Sequence, residues 1–328
     1  MTRRIRPHCI RRRPVLRRAP ALSWLSCAAI VSVLACASGP STVAPGRVAA
    51  AQTAPASAPA QAGAAGSVAL GSAPGSLTFG VIGDNGTGDR GQYDLAKQFY
   101  AAYERQAFPL VIMVGDNIYG SERPQDFVRK FEEPYKPLLD RGVKFYASLG
   151  NHDSREQRFY KPFNMEGKLF YSFKAPEQDV RFFALDSTYL DQPQLDWLKK
   201  ELEGAKEAWK IPYFHHPPYS SAGRHGSDPR IRATLEPIFI ANKVSVVFTG
   251  HDHVYERIKP QQGITYFVTG SGGQLRQGDL PRGSPITAKG FDTDLVFLVA
   301  NIEGDRLTFQ AISRTGQVID SGVVERQQ

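Results

Sequence analysis

The sequence predicts an α/β fold in which two mixed β-sheets pack as a sandwich flanked by helices. Three observations carry that expectation. From Leu77 onward, short apolar runs alternate with stretches of helical spacing, the pattern of βαβ units and a largely parallel sheet. Further on, apolar runs follow one another with fewer helical stretches between them, which asks for antiparallel strands and a second sheet. About 250 residues follow Leu77, the size of one domain around a single large core.

Each element has its own signal. LTFGVIGD (77–84) reads as a buried strand, YDLAKQFYAAYERQ (93–106) as an amphipathic helix and PLVIMVGD (109–116) as a second strand. Helical spacing returns near 125–140, and KFYASLGN (144–151) is the third strand. FYSFKA (170–175) and VRFFALD (180–186) predict an antiparallel pair, followed by a helix over 192–208. The runs 211–217, 244–250, 264–270, 295–302 and 306–313 supply the remaining strands.

Residues 1–36 stand apart. Eight arginines and no acidic residue precede ALSWLSCAAIVSVLAC (21–36), an apolar run too short and interrupted to span a bilayer. A basic segment followed by a short apolar one is an export signal. It ends in Val33-Leu34-Ala35-Cys36, which resembles a bacterial lipobox and predicts cleavage and lipidation at Cys36. The alternative is an ordinary secretory signal. The expected location is the cell envelope, the periplasm or the medium, with membrane contact only through a lipid on Cys36. Residues 37–76 are almost all Ala, Pro, Ser, Gly, Thr and Val and read as a flexible tether, leaving 77–328 as the folded domain.

The signal also accounts for the charge. The chain has 40 Lys+Arg against 32 Asp+Glu, and the eight excess cations are the arginines of residues 1–36. The part of the chain after the signal is therefore formally neutral, and no nucleic-acid partner is implied. Cys9, Cys27 and Cys36 are the only cysteines, so the domain has no thiolate ligand to offer. A metal site there must use His, Asp, Asn or Tyr.

Such residues cluster at strand ends: GDNG (83–86), GDNIY (115–119), GNHD (150–153), FHHP (214–217) and GHDH (250–253). Loops at the carboxyl ends of strands converge on one crevice in α/β sheets. Asp84, Asp116, Asn151, His215 and His251 are thus aimed at one place, each early one preceded by a glycine that allows a sharp turn and close approach. Any one such dipeptide is ordinary turn chemistry; five in order are not. All six histidines after the signal (152, 215, 216, 225, 251 and 253) lie in strand-end loops. Two carboxylates with three or more imidazoles exceed what one tetrahedral ion needs, which points to two hard or borderline ions.

In this order the motifs resemble the calcineurin-like metallophosphoesterases, with their four-layer α/β/β/α sandwich, and within them the purple and tartrate-resistant acid phosphatases. The first motif, Asp84-Asn85-Gly86, has no histidine, and Tyr119 stands three residues after Asp116, as in the purple enzymes. The resemblance implies one metal on Asp84, Asp116, Tyr119 and His253, and a second on Asp116, Asn151, His215 and His251. Fe(III) is expected at the tyrosine position, and Fe, Zn or Mn at the other. It also implies that His152 contacts the phosphate and protonates the leaving group as a hydroxide attacks phosphorus in line. His225 matches a substrate-contacting histidine, against the alternative of an exposed loop residue. His216 falls on a variable position with no expected role. Asp153 either orients His152 or caps the turn. The implied activity is hydrolysis of small phosphate monoesters. A phosphodiesterase or nucleotidase of the same superfamily, and a non-catalytic phosphate- or metal-binding surface protein, are the alternatives.

Overall fold

The computed structural model describes residues 69–71, 73–175 and 178–328. The expected export signal with its lipobox-like end at Cys36, and all but the end of the stretch 37–76 read as a tether, lie outside the described residues.

The first half runs β1 (Leu77–Ile82), α1 (Arg90–Arg105), β2 (Leu110–Val114), α2 (Pro124–Phe127), α3 (Glu133–Asp140) and β3 (Lys144–Ser148). Then come β4 (Tyr171–Lys174), β5 (Val180–Ala184), α4 (Gln192–Gly204), β6 (Trp209–Tyr213), α5 (Pro229–Ala241) and β7 (Val246–Thr249). The chain closes with β8 (Tyr255–Ile258), β9 (Thr265–Thr269), β10 (Thr287–Phe291), β11 (Val296–Glu303), β12 (Arg306–Ser313) and β13 (Val318–Glu325).

These strands make the two expected mixed sheets, ordered β13-β12-β11-β1-β2-β3 and β10-β8-β9-β7-β6-β5-β4. In the first, β1, β2 and β3 are parallel, with Ile82 beside Met113 and Val114 beside Ser148, so their carboxyl ends finish level. In the second, β5, β6, β7 and β9 are parallel, β4 and β8 pair antiparallel with β5 and β9, and β10 pairs antiparallel with β8. Parallel strands in register deliver their following loops to one edge, which gives the site its place.

The sheets are held face to face by aromatic side chains. Phe79 of β1 meets Phe182 of β5 edge-on at 5.2 Å between ring centroids, and Phe267 of β9 meets Phe309 of β12 at 4.9 Å. Strand alternation puts the neighbouring residues on the opposite face: Phe183, Leu185 and Val247 pack outward on Leu198 and Leu202 of α4 and Leu235 and Phe239 of α5. On the outer side of the first sheet, Phe99 of α1 stacks on Phe297 of β11 at 4.4 Å. Each such buried aromatic or aliphatic side chain contributes about 1.5–3 kcal/mol.

Three differences from the sequence reading have physical causes. The helix expected to run to 208 stops at Gly204, and Glu207 turns to pair with Arg181 of β5 at 3.1 Å. The helical stretch near 125–140 is interrupted by a π-turn at Val128–Glu132. Pro134, four residues after Lys130, has no N–H for the Lys130 carbonyl, which instead accepts from Gln92 Nε2 at 2.6 Å. Helix α5 and the strands β8, β10 and β13 were not expected. β10 and β13 are half-exposed edge strands without an apolar run, and Pro229 and Pro237 disguise α5 as a loop.

Candidate metal centre

Glycine precedes the donors Asp84, Asp116, Asn151 and His251, whereas Phe214 precedes His215. Asp84, Asp116 and His251 themselves adopt positive φ (54°, 51° and 72°), a left-handed backbone that side chains other than Gly, Asn and Asp rarely tolerate. The turn is thus made at the polar residue, and Gly83, Gly150 and Gly250 serve close approach instead. A Cβ on Gly150 would lie 2.1 Å from Asp116 Oδ1, and one on Gly250 would lie 2.4 Å from Asp84 Oδ2. Gly86 passes so near the Asn117 carbonyl that only hydrogen fits, and its own carbonyl accepts from Tyr119 N at 2.9 Å.

The side chains gather in two adjoining sets. In the first, the Tyr119 hydroxyl donates to Asp84 Oδ1 at 3.0 Å, and His253 Nε2 stands 3.2 Å from that hydroxyl and 3.5 Å from Asp84 Oδ1. In the second, His215 Nε2 lies 3.0 Å from Asn151 Oδ1, 3.1 Å from His251 Nδ1 and 3.4 Å from Asp116 Oδ1. A carboxylate oxygen of Asp116 lies within 4.8 Å of donor atoms of both Asp84 and His215, so it adjoins both sets.

The electrostatics suit a cation. Asp84 and Asp116 are fully buried, and their only ion-pair partners among the described residues are His253 and His215. Burial, then the charge of Asp116, pushes the Asp84 carboxyl well above the usual range, and burial raises Asp116 too. Burial also drives the histidines towards neutrality, with His251 lowered to about 2 and His253 to about 4. The Tyr119 phenol is raised by burial and by the two carboxylates.

His215 shows the consequence at atomic detail. Its Nδ1 donates to the Val114 carbonyl at 3.1 Å, so in the neutral ring Nε2 carries a lone pair. That lone pair faces the oxygens of Asn151 and Asp116, acceptor against acceptor. A cation between them satisfies all three, and the backbone bond at Nδ1 is the partner a metal-bound imidazole needs to fix its ring. Imidazole, carboxylate, amide oxygen and phenol fit hard to borderline ions.

Residues 77–255 match the family described as calcineurin-like phosphoesterases. The chain belongs to that family. It is a metal-dependent phosphoric ester hydrolase with purple acid phosphatase relatives. The chain is 27% identical to the rat tartrate-resistant acid phosphatase type 5 over 238 residues, 60% of this chain and 72% of the relative. It is 28% identical to Arabidopsis thaliana purple acid phosphatase 7 over 281 residues, 74% and 84% of the two chains. Its fold superposes on purple acid phosphatase PPD1 from yellow lupin seeds with a TM-score of 0.64 at 21% identity, over 77% of this chain and 54% of the other.

Around the donors of this phosphoesterase, the other histidines take separate places. His152 is exposed, its ring 5.2 Å from that of Tyr119, while its backbone N–H donates to Asp116 Oδ1 at 2.9 Å. His225 is exposed too, but its ring lies 4.2 Å from His251, so the loop does return to the centre. His216 is half-buried, 4.5 Å from the His251 ring, and bonded through Nδ1 to Ser187 Oγ at 2.9 Å.

Asp153 is a cap and not an orienter of His152. Its carboxylate accepts from the Gly150, Asn117 and Ile118 backbone amides at 2.8–3.1 Å, with no hydrogen bond to the His152 ring. Two supporting residues went unread in the sequence. Lys130 is buried and donates to the carbonyls of Tyr119 (2.6 Å) and Ser121 (2.9 Å), pinning the tyrosine loop, while Ser187 holds His216. Neither lies in a strand-end motif, so only the partner reveals the role.

Proposed function

We propose that this chain is a dinuclear acid phosphatase that hydrolyses phosphate monoesters. One ion is held by Asp84, Asp116, Tyr119 and His253, the other by Asp116, Asn151, His215 and His251. The observation that carries the reading is the buried carboxylate of Asp116, which lies within 4.8 Å of a donor oxygen of Asp84 on one side and faces the lone pair of His215 on the other. The phenol favours Fe(III) at its position; Fe, Zn or Mn suits the amide and imidazoles of the second.

When bound, the ions supply positive charge to the phosphoryl oxygens and make water acidic enough to attack near neutrality. The chain's own groups do the rest. Asp84 and Asp116 accept backbone N–H bonds from His251 and His152, which hold their carboxylates in fixed orientation. His152, beside Tyr119 and open to solvent, is placed to contact the phosphate and protonate the departing alkoxide, with His225 approaching from the His251 side. Water and small phosphorylated substrates reach both histidines from solvent.

Metal analysis of the purified protein, coupled to phosphatase assays across pH, tests the reading. Two ions per chain and hydrolysis of an aryl phosphate fastest at mildly acid pH are expected. Faster cleavage of a bis-aryl phosphate than of the monoester would overturn the monoesterase assignment. We further propose export and lipid attachment at Cys36, supported by the arginine-rich start and Val33-Leu34-Ala35-Cys36. Labelled palmitate should enter the wild type and not Cys36→Ala; equal labelling of the two refutes the anchor.

A further inference from the structure

His216 was the histidine without an expected role, and the structure places it on the wall between two cavities. One, of about 450 Å³, reaches His225 and His251 at the metal centre. The other, of about 320 Å³, lies on the far side of His216 and is lined mainly by polar groups, among them Ser187, Thr188, Asp228, Arg230 and Thr234. Asp228 and Arg230, like His216, line both cavities, so the two adjoin.

The 320 Å³ cavity carries signs of a hydrogen-bonding ligand. Thr188 lines it, and the hydroxyl of that residue is buried without any hydrogen-bond partner, a costly arrangement unless a ligand or water completes it. His216 is held rigidly, since Ser187 Oγ accepts from its backbone N–H at 3.0 Å and contacts its Nδ1 at 2.9 Å. The arrangement that satisfies both has the hydroxyl donate to Nδ1, which leaves Nε2–H as a free donor. No Phe, Tyr or Trp lines the cavity, so it offers an aryl group nothing to stack on. Its volume is at the lower end of small-molecule sites, about 300–1,000 Å³.

We infer that this cavity is the leaving-group subsite and takes the alcohol half of a hydroxyl-rich phosphomonoester, of the sugar or polyol phosphate class, with His216 as the specificity-determining residue. The inference rests on the monoesterase reading. The phosphoryl group sits at the metal centre beside His251 and His225. The ester oxygen leads past His216, and the hydroxyls of the alcohol meet His216, Thr188 and the Asp228–Arg230 pair.

A competing role exists, because nitrogens of His215, His216 and His251 lie within 4.8 Å of one another and His216 could support a metal. The test therefore measures kcat/KM for a hexose phosphate and for p-nitrophenyl phosphate, together with bound metal, in wild type, His216→Ala and Thr188→Val. The hexose-to-aryl ratio of kcat/KM should fall about tenfold in each variant, the effect of one lost hydrogen bond, with two ions retained. Thr188→Val keeps the shape of the side chain and is far less exposed to misfolding. An unchanged ratio in both variants overturns the subsite. A ratio that falls only in His216→Ala, together with metal, overturns it as well and makes His216 a metal support. Wild type that cleaves both monoesters while the ratios stay flat sinks the subsite alone; wild type that cleaves neither sinks the monoesterase reading with it.

Discussion

Asp153 accepts hydrogen bonds from both the backbone N–H of Asn117, at 2.8 Å, and its side-chain amide, at 3.0 Å. The same carboxyl also accepts from Gly150 N at 2.9 Å, so one half-buried group ties the Asp116 loop to the Asn151 loop. Asp153→Ala strands these donors and should destabilise the protein by about 2–4 kcal/mol, with a smaller loss for Asp153→Asn. Urea denaturation measures it, and an alanine variant as stable as wild type would remove the clamp.

Gly150 is required by contact and not by torsion, since a Cβ there meets Asp116 Oδ1 at 2.1 Å and Asp116 N at 2.4 Å. Gly150→Ala should displace the Asp116 carboxylate, weaken metal binding at least about tenfold and lower stability by about 1–3 kcal/mol. Metal titration and thermal melting report the two effects separately. Wild-type affinity in this variant would show that the carboxylate tolerates movement.

His152 and His215 should fail differently. His152→Ala is expected to lower kcat by about 10²–10⁴-fold while keeping both ions. His215→Ala removes the imidazole whose Nε2 faces Asn151 and Asp116, and should lose metal from one position. Turnover unaffected by the first change would refute the acid role of His152.

The proposed Fe(III) on Tyr119 predicts colour. Iron-loaded wild type should absorb in the visible, and Tyr119→Phe should abolish the band because the phenol beside Asp84 and His253 is the only tyrosine hydroxyl in either donor set. A fully iron-loaded wild type without such a band would exclude Fe(III) on tyrosine.

Asp126 supplies a pH-dependent contribution beside the tyrosine loop, 3.6 Å from Lys130 Nζ. Arg123 first, then the Ser121 hydroxyl, hold its carboxyl well below the usual carboxylate range. The unfolded chain, with an ordinary value of about 3.9, binds the proton more readily. The contribution is therefore present above about pH 4 and is lost as pH falls through the lower folded value. The stability gap between wild type and Asp126→Asn, followed by denaturation from neutral to acid pH, should shrink below about pH 4. A gap that is constant through that range would refute the coupling.

Legibility in the sequence followed exposure and locality. Strands buried on both faces, such as β1 and β2, announce themselves as unbroken apolar runs. β13 lies at a sheet edge, its residues mostly half-buried, and carries no such run. Asp84, Asp116, Asn151, His215 and His251 were readable because each follows its strand directly. Asp153 was ambiguous because its partners, Asn117 and Ile118, lie across another loop.

The sequence by itself determined that metal-type donors end five successive strands, and that no cysteine could join them. It could not say which donors face one another. Tertiary structure decided that Asp116 stands between Asp84 and His215, that Asp153 clamps loops instead of steering His152, and that Ser187 fixes His216 at a cavity wall. The reason is physical: a residue type sets which bonds a side chain can make, whereas sheet register and loop approach set which partner comes within 3 Å or so of it.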